Sequence, residues 1–243
     1  MPFKLTHNGK TKFRKTHTNT FGLMYGLPEN GGTCPGATTG KGGCLDVRDG
    51  LKRQTCYMAK ITAIYKQVGN VLQSNTALVQ GKSLEEIKTV CRETIQAFVQ
   101  KSKNQDLYFR LHYSGDFFSE DYTKAWAAVI KEFPNIRFWV YTRSDLFVEH
   151  LLGINNLTVY LSCDPSNFDK MLAVYLKHKD ANNNLGMAWL GNEAPDPDIY
   201  RWVQCPEITG KVKNTSDAGA CSKCRLCVDN YKIRVKNIQF KYH

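Results

Sequence analysis

The chain has 243 residues, 42% of them hydrophobic, and carries 33 lysines and arginines against 22 acids, a formal net charge of +11. That is enough apolar material for one good core. No apolar run approaches the ~20 residues of a membrane span and Met1-Pro2-Phe3-Lys4 lacks a signal peptide's apolar stretch, so a cytosolic protein is expected and a membrane role is disfavoured. In that reducing setting the nine cysteines point to metal or redox work rather than to disulfides.

Residues 1–60 are rich in Gly, Thr and Lys, and the glycines of 31–43 predict a long functional loop that can approach a ligand closely. Cys34, Cys44 and Cys56 lie in this segment with the wide spacing C-x9-C-x11-C, which fits either a ligand set or scattered structural thiols. From Cys56 to about Gln80 the pattern is helical. A second helix follows over Ser83–Lys101, opened by a Ser83/Glu86 capping box, with Cys91 on its apolar stripe as a core residue.

Strands and helices then alternate. Strands are expected at Asp106–Tyr113, Arg137–Thr142, Leu157–Cys163, Leu185–Leu190 and Arg201–Cys205, and helices at Ser119–Phe133, near Asp145–Leu152, at Asn167–Lys177 and as a short turn at Asp196–Tyr200. Repeated strand-helix units imply a parallel sheet, here read as an α/β partial or irregular TIM-like barrel with cysteine-rich loop extensions at both ends. The expected organisation is one structural domain: an N-terminal segment 1–60, an α/β body 61–204 and a C-terminal cysteine segment with a basic tail, 205–243.

Polar residues gather at the strand exits: Ser114-Gly115-Asp116, Thr142-Arg143-Ser144, Ser162-Cys163-Asp164 and Asn192-Glu193. In a barrel these exits line one mouth. Alternation along the first strand places Arg110, His112 and Ser114 on one face, which would point into the lumen. Plainer roles compete for each residue: His112 as a core histidine, Asp116 as a helix cap, Arg143 as an ion-pair partner and Cys163 as a buried thiol.

The tail reads C-P-x14-C-x2-C-x2-C through Cys205, Cys221, Cys224 and Cys227, a spacing that gathers thiolates around zinc or an iron-sulfur cluster. Four cysteines close such a site, whereas three on a cubane leave one iron open. Two oxidised cubanes with four and three thiolates carry about −2 and −1, leaving the protein basic at roughly +8. Much of the excess lies at Lys4, Lys10, Lys12, Arg14 and Lys15 and at Lys232, Arg234, Lys236 and Lys241, with Phe13, Tyr231, Phe240 and Tyr242 nearby. Such ends suit either solvated docking arms or nucleic-acid phosphates and bases.

Thr33-Cys34-Pro35-Gly36-Ala37-Thr38, Cys56-Tyr57-Met58-Ala59-Lys60, the run from Leu111 to Ser119 and Cys205-Pro206 with Cys221, Cys224 and Cys227 resemble the phage family called gene product 88. The resemblance spans roughly residues 30–230, and the family looks like a distant relation of radical S-adenosylmethionine enzymes. It implies that Cys34, Cys44 and Cys56 hold a 4Fe-4S cluster with one iron open to S-adenosylmethionine. It further implies that Ser114-Gly115-Asp116 supplies the acid that receives the amino group, and that the four tail cysteines hold an auxiliary cluster. The intervening residues 45–55 depart from the compact motif of such enzymes.

The expected function is thus an iron-sulfur protein with one or two 4Fe-4S clusters in a redox, structural, virion or nucleic-acid role. A radical enzyme and a structural zinc protein are the alternatives. Ser114, Gly115, Asp116, His112 and Arg143 are the candidate cofactor contacts. A phage-encoded protein of this kind would work in the host cytoplasm or with the virion.

Overall fold

The computed structural model describes residues 1–6, 9–11, 19–47, 55–102, 107–182, 184–196, 201–229 and 237–241. Seven parallel strands form one sheet in the order β1-β2-β3-β4-β5-β7-β6. They are β1 Thr20–Gly22, β2 Leu107–Ser114, β3 Ile136–Thr142, β4 Leu157–Cys163, β5 Leu185–Leu190, β6 Val203–Gln204 and β7 Ile238–Phe240.

The α/β class and parallel sheet agree with the alternating pattern, but β1 and β6 remain as edges and the sheet does not close into a barrel. Two strands escape the sequence pattern altogether, since β1 and β7 have three residues each. The expected strand after β5 shrinks to the two residues of β6 and lies at the edge, because β7 takes the place beside β5. Of the turn expected at Asp196–Tyr200, residues 197–200 lie outside the described residues.

The helices are α1 Tyr57–Ile64, α2 Lys66–Ala77, α3 Leu84–Lys101, α4 Glu120–Glu132, α5 Phe168–His178 and α6 Ala220–Cys224. A single helix from Cys56 does not form: Tyr65, with φ −116° and ψ 88°, separates α1 from α2. The α3 capping box is complete, the Ser83 N–H donating to Glu86 Oε2 at 2.9 Å and the Glu86 N–H to Ser83 Oγ at 3.4 Å. Ser119 caps α4 by accepting from the Tyr122 N–H at 3.2 Å, and Glu120 and Asp121 complement its N-terminal dipole. The segment Asp145–Leu151 is a 3-10 helix rather than an α-helix.

One sheet face carries the main core. Phe109, Leu111, Phe138, Val140, Val159 and Leu161 meet Ile95 and Phe98 of α3, Trp126 and Ile130 of α4, and Met171 of α5. Cys91 and Cys163 are both sealed in this layer, and the Cys163 thiol donates to the Ala188 carbonyl at 3.5 Å. Each large apolar side chain so buried contributes about 1.5–3 kcal/mol. The other face is covered by the C-terminal segment: Tyr108 and Trp139 meet Val228, while Tyr160, Ala188 and Ile238 meet Tyr141, Cys205, Leu226, Cys227 and Phe240. The second cysteine set therefore lies on the sheet face opposite the main helices.

Candidate functional site

Where β2 ends, Gly115 turns the chain with φ +78°, and a Cβ there would stand 2.5 Å from Thr33 Oγ1 and 2.7 Å from Leu23 Cβ. Glycine lets the Thr33-Cys34 loop pack on the strand exit. Asp116 follows, and its carboxylate accepts from the Thr142 hydroxyl at 2.6 Å, the Arg143 N–H at 2.7 Å and the Phe117 N–H at 2.8 Å. Its own N–H donates to Thr33 Oγ1 at 3.3 Å. Asp116 thus laces the exits of β2 and β3 to the first cysteine loop.

Burial outweighs these donors and lifts the Asp116 carboxyl from 3.8 to about 6. The folded protein therefore holds this proton more tightly than the unfolded chain. The resulting stability is present below pH 3.8 and is lost as pH rises through about 6, a span of roughly 3 kcal/mol at 1.36 kcal/mol per unit. Asp116→Asn, which has no such proton to lose, is expected to gain on the parent by about that amount between pH ~4 and pH ~7.5 in urea unfolding. A pH-independent difference between the two proteins would contradict this.

Arg143, at the exit of β3, reaches four acceptors. Its Nε–H donates to the Gly36 carbonyl at 3.1 Å, one terminal nitrogen to Asp164 Oδ2 at 2.7 Å, and the other to Thr38 Oγ1 at 2.7 Å and Ser166 Oγ at 3.3 Å. Gly36 is pressed so tightly that an added Cβ would stand 2.0 Å from the Arg143 carbonyl oxygen. The guanidinium is thereby an ion-pair clamp between the cysteine loop and the exit of β4.

The first three cysteines become electrostatic neighbours near these exits although they are far apart in sequence. The Cys34 N–H donates to the Gly26 carbonyl at 2.8 Å, and the Cys56 N–H to the Cys44 carbonyl at 2.8 Å. Asp46 gathers the N–H groups of Gly40, Gly42 and Gly43 at 2.6, 3.0 and 3.0 Å, which folds the turn that precedes Cys44. Burial pushes the Cys34 thiol well up, and the charges of Asp116, Cys56 and Cys44 push it further. Burial also raises Cys56, against backbone N–H donors at the start of α1, with Cys44 adding to the rise and Arg143 opposing it. These three thiols are electrostatic neighbours.

The four tail cysteines are likewise neighbours of one another. Cys205 follows β6 and its N–H donates to the Gln239 carbonyl at 2.9 Å, Cys221 and Cys224 lie in α6, and Arg225 turns the chain towards Cys227 with φ 54°. Burial raises Cys227 strongly; Tyr141 opposes the rise, and Cys221, Cys205 and Cys224 add to it. Burial pushes Cys221 up to about 11 while the charge of Arg110 opposes the rise. Among the described residues, however, no three His, Cys, Asp or Glu side chains meet in an arrangement that could hold a metal ion.

The cofactor contacts expected from the sequence separate. His112 breaks the strand alternation with φ 54° and turns to the helix side, where Nε2 lies 2.8 Å from the Tyr122 hydroxyl and the ring packs edge-on against Phe117 and Phe21. Burial lowers its pKa to about 3, leaving it neutral. Arg110 instead lies over the Tyr141 ring, on the side of the tail cysteines, so Arg110 and His112 do not share a face. Ser114 Oγ donates to the Leu23 carbonyl at 2.8 Å. Gly115, Asp116 and Arg143 do converge on the first cysteine set, but as the frame that carries it.

Sequence reasoning missed Tyr57, which follows Cys56, is 50% exposed and donates to the Tyr113 carbonyl. Its electrostatic neighbours are Arg110, Cys56, Tyr113 and Cys34. Its position beside a cysteine was the available signal. Of the basic ends, Lys10 pairs with Glu207 at 3.0 Å, while Lys12, Phe13, Arg14, Lys15, Tyr231, Lys232, Arg234, Lys236 and Tyr242 lie outside the described residues. No described helix is long and apolar enough to cross a membrane.

No solved structure matches this chain. Two similar proteins, each called Gene 88 protein, come from Mycobacterium phage D29 and Mycobacterium phage L5. The first is 33% identical over 215 residues, covering 85% of this chain and 83% of the relative. The second is 33% identical over 211 residues, covering 84% and 82%. The family model described as Gene product 88 matches residues 3–230, and with these frame and cysteine residues inside that span the chain belongs to the gene product 88 family.

Proposed function

We propose that this is a phage iron-sulfur protein in which Cys34, Cys44 and Cys56 form one ligand set and Cys205, Cys221, Cys224 and Cys227 another, each suited to a 4Fe-4S cluster. The observation that carries this reading is the grouping of seven thiols into two electrostatically coupled sets at two places on one sheet. Thiolates gathered at such half-buried positions would repel one another and need positive charge among them. A single ion would draw its sulfurs to within about 4 Å of each other, at Zn–S bonds of about 2.3 Å, whereas a cubane keeps its cysteines apart by its own width. When bound, such a cluster supplies one-electron redox chemistry.

The chain's own residues supply the support. Arg143 holds the first loop against the exits of β3 and β4, Asp116 fastens the same loop to β2, and Tyr141 backs Cys227. The radical enzyme reading draws on the first set's location, since parallel α/β sheets bind ligands at their strand exits. The Asp116 carboxylate already accepts three protein hydrogen bonds, which weighs against its receiving a ligand's amino group. The non-catalytic reading is therefore preferred.

Anaerobic reconstitution with iron and sulfide is expected to give brown protein with bound iron and sulfide, and Cys224→Ala to lower both. Colourless protein retaining stoichiometric zinc would reject the proposal. After dithionite reduction, added S-adenosylmethionine is expected to yield no 5'-deoxyadenosine. Its formation would establish the enzyme reading instead.

A further inference from the structure

Arg110 stands in the middle of β2, between the two cysteine sets: its charge is felt by Tyr57, beside Cys56, and by Cys221 of the tail. Its guanidinium lies 5.3 Å from the Tyr141 ring centroid. Nε is sealed from solvent with no hydrogen-bond partner, and among the described residues the side chain makes no hydrogen bond or ion pair. The other internal arginines differ, since Arg143 has Asp164 and Arg137 has Asp229.

A guanidinium stays charged and offers five N–H donors in a flat fork. Stacking on a tyrosine satisfies its face but none of those donors. A cation in this position is costly unless an acceptor reaches it. Arg110 is only partly buried and Tyr57 is half exposed, so solvent reaches both side chains. The side chains that share the guanidinium's field, Tyr57, His112, Tyr141 and Cys221, include no carboxylate, and Glu207, which also acts on Cys221, is paired with Lys10. The fork matches the two oxygens of a carboxylate or phosphate.

We propose that Arg110 anchors a small oxyanion-bearing ligand, a carboxylate or a phosphate, between the two cysteine sets. Tyr141 forms one wall and holds the guanidinium flat, and Tyr57 stands on the side of the first cysteines. The competing partner is the negative charge of thiolates in the tail set, beside Cys221. The site requires no bound cluster, so it stands or falls separately from the iron-sulfur reading.

The test uses the full chain with iron measured in every sample. Thermal unfolding is followed during titration with sodium phosphate or sodium acetate at constant ionic strength, chloride serving as control. The parent is expected to show a saturable rise in Tm with phosphate or acetate but not chloride, and the effective probe identifies the ligand class. Arg110→Met is expected to abolish the response and Arg110→Lys to weaken it at least tenfold, with iron content unchanged. No saturable response in the parent, or an undiminished one in Arg110→Met, would overturn the proposal. So would loss of iron in Arg110→Met without anion binding by the parent, which would assign the arginine to the cysteines. If the methionine variant does not fold, Arg110→Lys decides, and an unweakened response there rejects the site.

Discussion

Arg143→Met is expected to destabilise the protein by about 3–5 kcal/mol, because removing one member of a buried ion pair strands the other. Arg143 is 12% exposed and Asp164 0% exposed, and the pair is 2.7 Å apart. Asp164 would keep the N–H and hydroxyl of Ser166 but lose its cation. The loss also has an address. Gly36 and Thr38 lie in the first cysteine loop and both lose their donor, so under the proposed iron-sulfur function iron bound through Cys34, Cys44 and Cys56 is expected to fall while iron bound through the tail set persists. Arg143→Lys is expected to recover little, since a compact ammonium cannot span four acceptors on two segments. Urea unfolding with iron analysis checks both parts, and a variant as stable as the parent would show that the clamp contributes little.

Trp126→Ala is expected to cost a similar 3–5 kcal/mol through a different mechanism, the cavity left by a large core ring. Trp126 is fully buried on α4, with ring centroids 5.3 Å from Phe21 of β1, 6.3 Å from Phe3 and 6.5 Å from Phe109 of β2. It joins the N-terminal edge of the sheet to the main helical layer. Because it lies on the face opposite the tail cysteines, the folded fraction is expected to retain parental iron. Equal loss of iron and stability in both variants would mean that the first loop has no special dependence on Arg143.

The middle of this fold was legible because its elements are long and strongly patterned. Leu157–Cys163 and Leu185–Leu190 have the bounds read from the sequence, and the Ser83/Glu86 box marks the start of α3. The edges were not legible. Three residues such as Thr20–Gly22 or Ile238–Phe240 carry too little pattern to stand out, and their strand character comes from the neighbour that accepts them. Alternation also failed at His112, where positive φ sends two successive side chains, Leu111 and His112, towards the helix side.

The candidate site divides along the same line. Cysteine spacing divides the thiols into two sets whose members are electrostatic neighbours, and the polar strand exits include Asp116 and Arg143. What those two residues do depends on Thr33, Gly36, Thr38, Thr142 and Asp164, drawn from three stretches of chain that only the parallel sheet brings together. Arg110 was read with His112 as part of one polar face, and its separation from His112 is what leaves it facing the cysteines.

The placement of β7 between β5 and β6 has a consequence for the timing of synthesis. Val203 and Cys205 donate to the carbonyls of Asn237 and Gln239, so β6 has no sheet neighbour until a segment more than thirty residues later arrives. A chain emerging from the ribosome folds its earlier portions first. The pairing of β1 with β2, and the hydrogen bonds that Asp116 and Arg143 make around the first cysteine loop, draw among the described residues on positions no later than Ser166. The N–H of Cys205 has no sheet partner until Gln239 is made, so the tail set is completed after the residues that frame the first loop.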